Sequence, residues 1–256
     1  MTATQVTEHA SFVLADNPGI MTLDGTNTWV LRAGEGRAVV VDPGPADDDH
    51  LQAVLDAAGG QVALVLFTHR HFDHTEALTR FADMTGATCR ATDPEFCRAG
   101  EPLVDGERIE LDGLVIEVLA TPGHTTDSTC FVLPDEKTLL SGDTILGRGT
   151  TVIAHPDGVL GPYLDSLALI RELIEEGAVE RILPGHGPVI DDPGPFVDYY
   201  LEHRAERLDQ VRAAVAGGAT TAREVVEVVY ADVDPVLWGA AELSVAAQLD
   251  HLSAGG

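Results

Sequence analysis

Short apolar runs alternate with amphipathic stretches along the first three-quarters of this chain, and only amphipathic stretches follow. From residue 27, "NTWVLRAGEGRAVVVDPG" reads as strand, turn and strand, with Gly34 and Gly36 at the turn. "DDDHLQAVLDAAG" has acidic residues in its first turn and Gly59 as a stop, which predicts a helix. "VALVLFT" is a compact β-branched run, a buried strand that leads directly into "THRHFDHTEA". Residues 75 to 84 predict a helix and "GATCRAT" the next strand. "RIEL", "LVIEVLAT", "STCFVLP" and "KTLLSGD" make a β-rich block punctuated by glycine and proline. "YLDSLALIRELIEEG" then predicts a helix and "RILPG" a last short strand. The order β-rich, helix, β-rich, helix implies an α/β fold of two sheets with helices outside.

Proline and glycine cluster in "DDPGPFV" (191 to 197), which predicts a main domain over 1–195 and an all-α module over 196–256. Three helices are expected from there on. The first is "VDYYLEHRAERLDQVRAAVAGG"; the second, "TAREVVEVVYADV", opens with Thr221 and Glu224 at capping-box spacing. The third opens with Asp234 as N-cap and Pro235 in the first turn. A module this small buries little by itself and is expected to pack on the main body.

Charge narrows the range of partners. The chain has 42 acidic residues against 15 basic, a net of −27, with Lys137 its single lysine. Such a surface repels polyanions at long range, so no double-stranded DNA partner is expected. No run approaches the ~20 apolar residues of a membrane span, and "MTATQVTEHASF" has no basic start followed by an apolar stretch. A cytoplasmic protein without a membrane partner is the expectation. Cys89, Cys97 and Cys130 form no C-x-x-C pair and read as small buried hydrophobes.

The chemistry concentrates at predicted strand ends. His69, His71, Asp73 and His74 fall within six positions of "THRHFDHTEA". His69 and His71, two apart at the end of a strand, point the same way. Imidazole nitrogens with a carboxylate oxygen suit Zn²⁺ at ~2.0–2.2 Å, or else Fe or Mn. Four ligands on so short a loop crowd a single ion, which hints at two ions sharing it. Further donors follow apolar runs beside glycine: His124 in "TPGHT", Asp143 in "LLSGDT" and His186 in "LPGHGP".

The series H-x-H-x-D-H, His, Asp in "SGD", then His in "PGHG" resembles the metallo-β-lactamase superfamily over residues 17 to 191. That resemblance implies a four-layer αββα sandwich with metals at the sheet edges. It implies that His69, His71 and His124 hold a first metal, that Asp73, His74 and His186 hold a second, and that Asp143 bridges them. "NPGIMTLDGTNTW", "SGDTILG", "PGHGPVI" and "HR" are similar to the β-lactamase-like protein 2 branch. This branch lies near glyoxalase II and carries a winged-helix-like C-terminal module, here residues 197 to 256.

The implied activity is hydrolysis by a metal-bridging hydroxide, with Asp73 as the catalytic residue that orients the water and accepts its proton. The implied substrates are single-stranded RNA, or a small-molecule thioester or ester as in fungal relatives. Two alternatives rank lower: a mononuclear-iron persulfide dioxygenase-like oxidoreductase, and a true β-lactamase, which generally lacks a bridging aspartate like Asp143. Residues 200 to 256 hold nine acidic residues against four arginines, a net of −5, and no stretch for a β-wing after the last helix. The module therefore reads as a lid or a homodimer element, not as a nucleic-acid reader.

Other residues are read more plainly. Asp42 in "VVVDPG" is either a hydrogen-bond partner of a ligand histidine or a turn residue. Asn27 and Thr28 are cleft or turn residues. Arg148 is either a contact for a substrate anion or, as is more common for a lone loop arginine, solvated. His203 and Arg204 either reach the cleft or, more commonly, make surface or interhelix hydrogen bonds. Glu76 and Ala77 stand where the superfamily pattern commonly has a glycine pair, and Glu76 is expected to point outward.

Overall fold

The structure is a computed structural model that describes residues 1–255. Its first sheet follows chain order: β1 (Thr4–Gln5), β2 (Ala10–Leu14), β3 (Asn27–Leu31), β4 (Ala38–Val41), β5 (Val62–Leu66) and β6 (Thr88–Arg90). Pairing is antiparallel through β4 and parallel across β4, β5 and β6. The second sheet holds β7 (Arg108–Leu111), β8 (Leu114–Ala120), β9 (Thr129–Leu133), β10 (Thr138–Gly142) and β11 (Arg181–Pro184), in reverse order from β11 to β7. Only the β10–β11 pair is parallel there.

The all-apolar strands follow from burial on both faces. In β4, Val39 and Val41 join Leu64, Leu66, Ile116, Phe131, Leu140 and Leu183 between the sheets. The alternate residues Ala38 and Val40 face outward, against Leu51 and Val54 of α1 (Asp48–Ala57) and Phe81 of α3 (Leu78–Thr85). On the far side, Cys130, Val132, Leu139 and Ile182 meet Tyr163, Leu167 and Ile170 of α4 (Leu160–Glu175), with Val197 and Tyr200 of α5 (Pro193–Ala216). The result is the expected four-layer αββα sandwich.

Three local departures have physical causes. The amphipathic N-terminal strands β1 and β2 were not legible, because β1 is exposed and β2 owes its place to pairing with β3. The single helix expected over 75–84 is two helices. His71 is the N-cap of α2 (Phe72–Thr75), and the chain redirects at Glu76–Ala77 before α3. Glu76 does point outward: it is exposed, and its carboxylate accepts the Ala46 backbone N–H at 3.2 Å. Helix α5 begins within the Pro–Gly cluster, with Pro193 in its first turn.

Helix α5 continues from the sandwich into the module. Its Val211 and Ala214 pack with Val225 and Val226 of α6 (Ala222–Val229) and with Ala241 and Val245 of α7 (Trp238–Ser253). The Thr221–Glu224 capping box is formed, and Asp234 caps a short 3-10 turn before α7. Ala247 and Leu252 return to the core under α4, so the module is docked on the body. Among the described residues the module contains no strand, and no helix of the chain is long and apolar enough to cross a membrane.

Candidate metal centre

Strand direction delivers the chemistry to one edge. Strands β8, β10 and β11 run the same way, since β9 is antiparallel to both β8 and β10, and β11 is parallel to β10. His124, Asp143 and His186 each follow the C-terminal end of one of them. The end of β5 arrives from the other sheet, and Thr129 N–H donates to Thr68 O at 2.8 Å to join the sheets there. All seven candidate ligands converge on this edge.

They form two clusters. His69, His71, His124 and Asp143 present donor atoms within 4.8 Å of one another, as do Asp73, His74 and His186. His71 Nδ1 lies 3.0 Å from both His69 Nε2 and His124 Nε2. Ligands ~2.0–2.1 Å from one tetrahedral ion sit about 3.3 Å apart, so this spacing fits a shared cation. In the second cluster His186 Nε2 is 3.1 Å from Asp73 Oδ2 and 3.3 Å from His74 Nε2. Asp143 faces both: Oδ1 is 3.5 Å from His74 Nε2, and Oδ2 is 3.4 Å from His186 Nε2 and 3.8 Å from His124 Nε2. Buried Asp143 Oδ1 has no hydrogen-bond partner, which is the state expected of a metal ligand atom.

The remaining ring nitrogens are anchored, which aims the others inward. His124 Nδ1 is 2.9 Å from Val152 O, and His186 Nδ1 is 3.1 Å from Gly25 O. His74 Nδ1 is 2.8 Å from Asp42 Oδ2. Asp42 also accepts Thr68 N–H at 2.8 Å and Thr68 Oγ1–H at 2.6 Å, and Thr68 Oγ1 sits 3.0 Å from His69 Nδ1. One buried carboxylate thus orients ligands of both clusters, from a backbone held at φ 53°. Glycine makes room: a Cβ at Gly185 would lie 2.6 Å from Asp143 Oδ1 and 2.9 Å from His74 Cε1. Arg70, between two ligands, is tied to Asp157, to Asp127 at 3.4 Å and to Thr126 Oγ1 at 2.6 Å.

Electrostatics divide the clusters. Burial lowers the His69 and His71 imidazoles and pushes His124 down to about 4. Burial also opposes charge on His74, yet Asp143, Asp42 and Asp73 together hold it well above the ordinary range. His186 is likewise raised, to about 9, against its burial and chiefly by Asp143. Asp143 resists the upward push of burial and is held well below the carboxylate range by His186 and His74.

A cavity of about 370 Å³ opens from His124 and Asp143 toward the helical module. Its walls include Ile20, Met21, Leu146 and Val152 from the body, and Tyr230, Val233, Leu237 and Ala241 from the module. The structure decides between the two readings of several residues. His203 and Arg204 line this cavity, and Arg204 is buried, donating to Thr151 O with its guanidinium 5.0 Å over the Tyr163 ring. Thr151 in turn donates to Asp143 O at 2.7 Å. Arg148 is paired with Asp24 at 3.1 Å at the cavity rim. Asn27 and Thr28 are structural: Asn27 donates to Pro184 O and Gly187 O, and Thr28 to Asp42 O. Arg207 and Tyr230, which no motif marks, also line the cavity.

Residues 21–186 match the family profile described as "Metallo-beta-lactamase superfamily", and residues 221–256 match "Beta-lactamase associated winged helix domain". The chain is 33% identical to the Beta-lactamase-like protein 2 homolog of Drosophila melanogaster, over 97% of this chain and 89% of that protein. It is 33% identical to the Atrochrysone carboxyl ACP thioesterase of Aspergillus chevalieri, over 90% and 75% respectively. A Beta-lactamase domain protein from Burkholderia ambifaria shares its fold, with a TM-score of 0.84 at 20% identity over 99% of this chain and 88% of the other.

Proposed function

This chain belongs to the metallo-beta-lactamase superfamily, alongside the beta-lactamase-like protein 2 homologs, and on that premise we propose that it is a dinuclear hydrolase of small thioesters or esters. His69, His71 and His124 would hold one divalent ion and Asp73, His74 and His186 the other, with Asp143, which faces both clusters, available to either. Imidazole nitrogens and carboxylate oxygens suit zinc, and the same donors accept iron or manganese. When bound, the ions supply an activated water and a Lewis acid at the substrate carbonyl.

The chain's own residues do the rest. Asp73 is 28% exposed, the most open carboxylate of the centre. Burial pushes its carboxyl upward, but His74 and His186 more than offset this, so Asp73 is ionised and able to orient the water and take up its proton. The Val152 carbonyl holds the His124 ring, and Thr151 holds the backbone of Asp143. Arg204 fixes that segment from the module side.

One observation carries the substrate class: the cavity above His124 and Asp143 is walled mainly by apolar side chains and is sized for an acyl group, not for a polynucleotide. The net charge of −27 works against RNA in the same direction. The activity named for the fungal relative, cleavage of a carrier-bound thioester, fits this wall. The test is metal content per chain, followed by turnover of acyl thioesters, esters, single-stranded RNA and a chromogenic cephalosporin, with and without chelator. Chelator-sensitive thioester hydrolysis is expected. Turnover of RNA or cephalosporin alone would overturn the substrate class. One bound iron with oxygen uptake on a persulfide would replace hydrolysis with oxidation.

A further inference from the structure

Two cations differ from all the rest. Among the described residues, every lysine and arginine except Arg204 and Arg207 has a carboxylate oxygen within 4.0 Å. In a chain with 42 acidic residues, two arginines without a carboxylate neighbour stand out. Both exceptions line the cavity, where the metal ligand Asp143 is the only acid. Arg204 is already engaged, buried against the Thr151 carbonyl and the Tyr163 ring. Arg207 is half-buried and has only neutral partners: its guanidinium lies 4.7 Å over the Tyr230 ring and donates to Gln210 Oε1 at 2.9 Å. His203 sits one turn earlier on the same face of α5, and its buried Nδ1 has no hydrogen-bond partner.

We propose that Arg207, with His203, is an anion subsite in the module wall of the cavity, and that the substrate is an acyl thioester or ester carrying a phosphate or carboxylate. This rests on the hydrolase reading above. The planar guanidinium, fixed by its ring contact, offers a fork to phosphate or carboxylate. The neighbouring imidazole adds a neutral donor, since burial, and then Arg204 and Arg207, push it down to about 4. The apolar side chains of Val233, Leu237 and Ala241 receive the uncharged part of the same molecule.

The experiment compares acetyl-pantetheine, a neutral reference, with three anionic thioesters on the metal-loaded protein. Acetyl-4′-phosphopantetheine carries phosphate on the thiol half, acetyl-glutathione carries carboxylate there, and succinyl-pantetheine carries carboxylate on the acyl half. At least one is expected to exceed the reference roughly 10- to 100-fold in kcat/KM, mainly through KM, and which one identifies the anion. Arg207→Met should bring that ratio close to one. Arg207→Lys, which keeps the charge without the fork, should lower it severalfold and serves if the Met variant fails to fold. Arg212→Met, removing the same charge further along α5, should leave the ratio intact. Equal use of neutral and anionic thioesters, or a ratio that survives in both Arg207 variants, would overturn the subsite. If no thioester is cleaved, the hydrolase reading fails separately. Calorimetry with 4′-phosphopantetheine against pantetheine then decides the subsite: Arg207-dependent tighter binding of the phosphate supports it, and equal binding overturns it.

Discussion

The two donor clusters sit side by side yet are prepared for a metal in opposite ways. The histidines His69, His71 and His124 are neutral because burial disfavours their charge, and the anchored nitrogens of His69 and His124 face a hydroxyl and a carbonyl. His74 and His186 are just as enclosed, but three carboxylates around them hold their protons in place. The first cluster therefore offers neutral imidazole lone pairs. The second is a salt cluster in which three carboxylates face two protonated imidazoles, whose protons must leave when an ion arrives. The same residue type in the same strand-end setting thus takes two different protonation states, set by whether carboxylates are near.

The largest expected effect is on the residue the clusters share. Asp143→Ala should lose the second metal and roughly 1,000-fold in kcat, while the three-histidine cluster keeps its ion. Metal analysis beside a rate assay checks this, and two ions with normal turnover would remove Asp143 from between the clusters. Next comes Asp42→Asn, which leaves shape intact but weakens the partner of His74. About 10- to 100-fold lower affinity for the second equivalent is expected at pH 8, with a smaller change in the first. Equal losses would mean that Asp42 acts on both clusters alike, through Thr68.

The subtlest effect is pH dependence. In the metal-free protein His186 is raised from 6.5 to about 9, so the folded state holds a proton that the unfolded chain releases first. That stabilisation is full below pH 6.5 and is lost as pH rises through 9. Metal binding runs the other way. Below pH 9 the second equivalent should weaken about tenfold per pH unit for each proton expelled. The first should stay nearly constant down to pH 5, because His124 titrates only at about 4. Titrations at pH 6, 7 and 8 that gave parallel slopes for both equivalents would erase the contrast.

The contrast also explains what the sequence could and could not reveal. The seven donors were legible because the chemistry demands particular residue types directly after apolar strands, and strands write themselves into short runs such as "VALVL". The outward Glu76 was legible from its charge and size. The upward shift of His74 was not, because it depends on Asp143, 69 residues later in the chain, and on Asp42, 32 residues earlier. The cavity was hidden for the same reason: its walls come from residues 20–23, 146–152 and 203–244, brought together only by docking of the module. Arg207 looks like any exposed helix cation until the absence of a carboxylate around it is seen. Strands β1 and β2 escaped because edge pairing, not periodicity, makes them strands.

Helix α5 has a mechanical consequence. It is one unbroken rod of 24 residues whose first half, through Val197 and Tyr200, is seated in the sandwich core, and whose second half carries the module. The Tyr200 hydroxyl accepts the Leu146 N–H at 2.9 Å, beside the cavity floor. Swinging the module outward would mean bending that rod or unseating Tyr200. The module is thus tied to the body by the same rod that seats in the core, while Ile20 and Met21, in the body's wall of the same cavity, stand 61% and 53% exposed. The short segment around position 20, and not the module, is therefore the part of the cavity wall that carries the least packing.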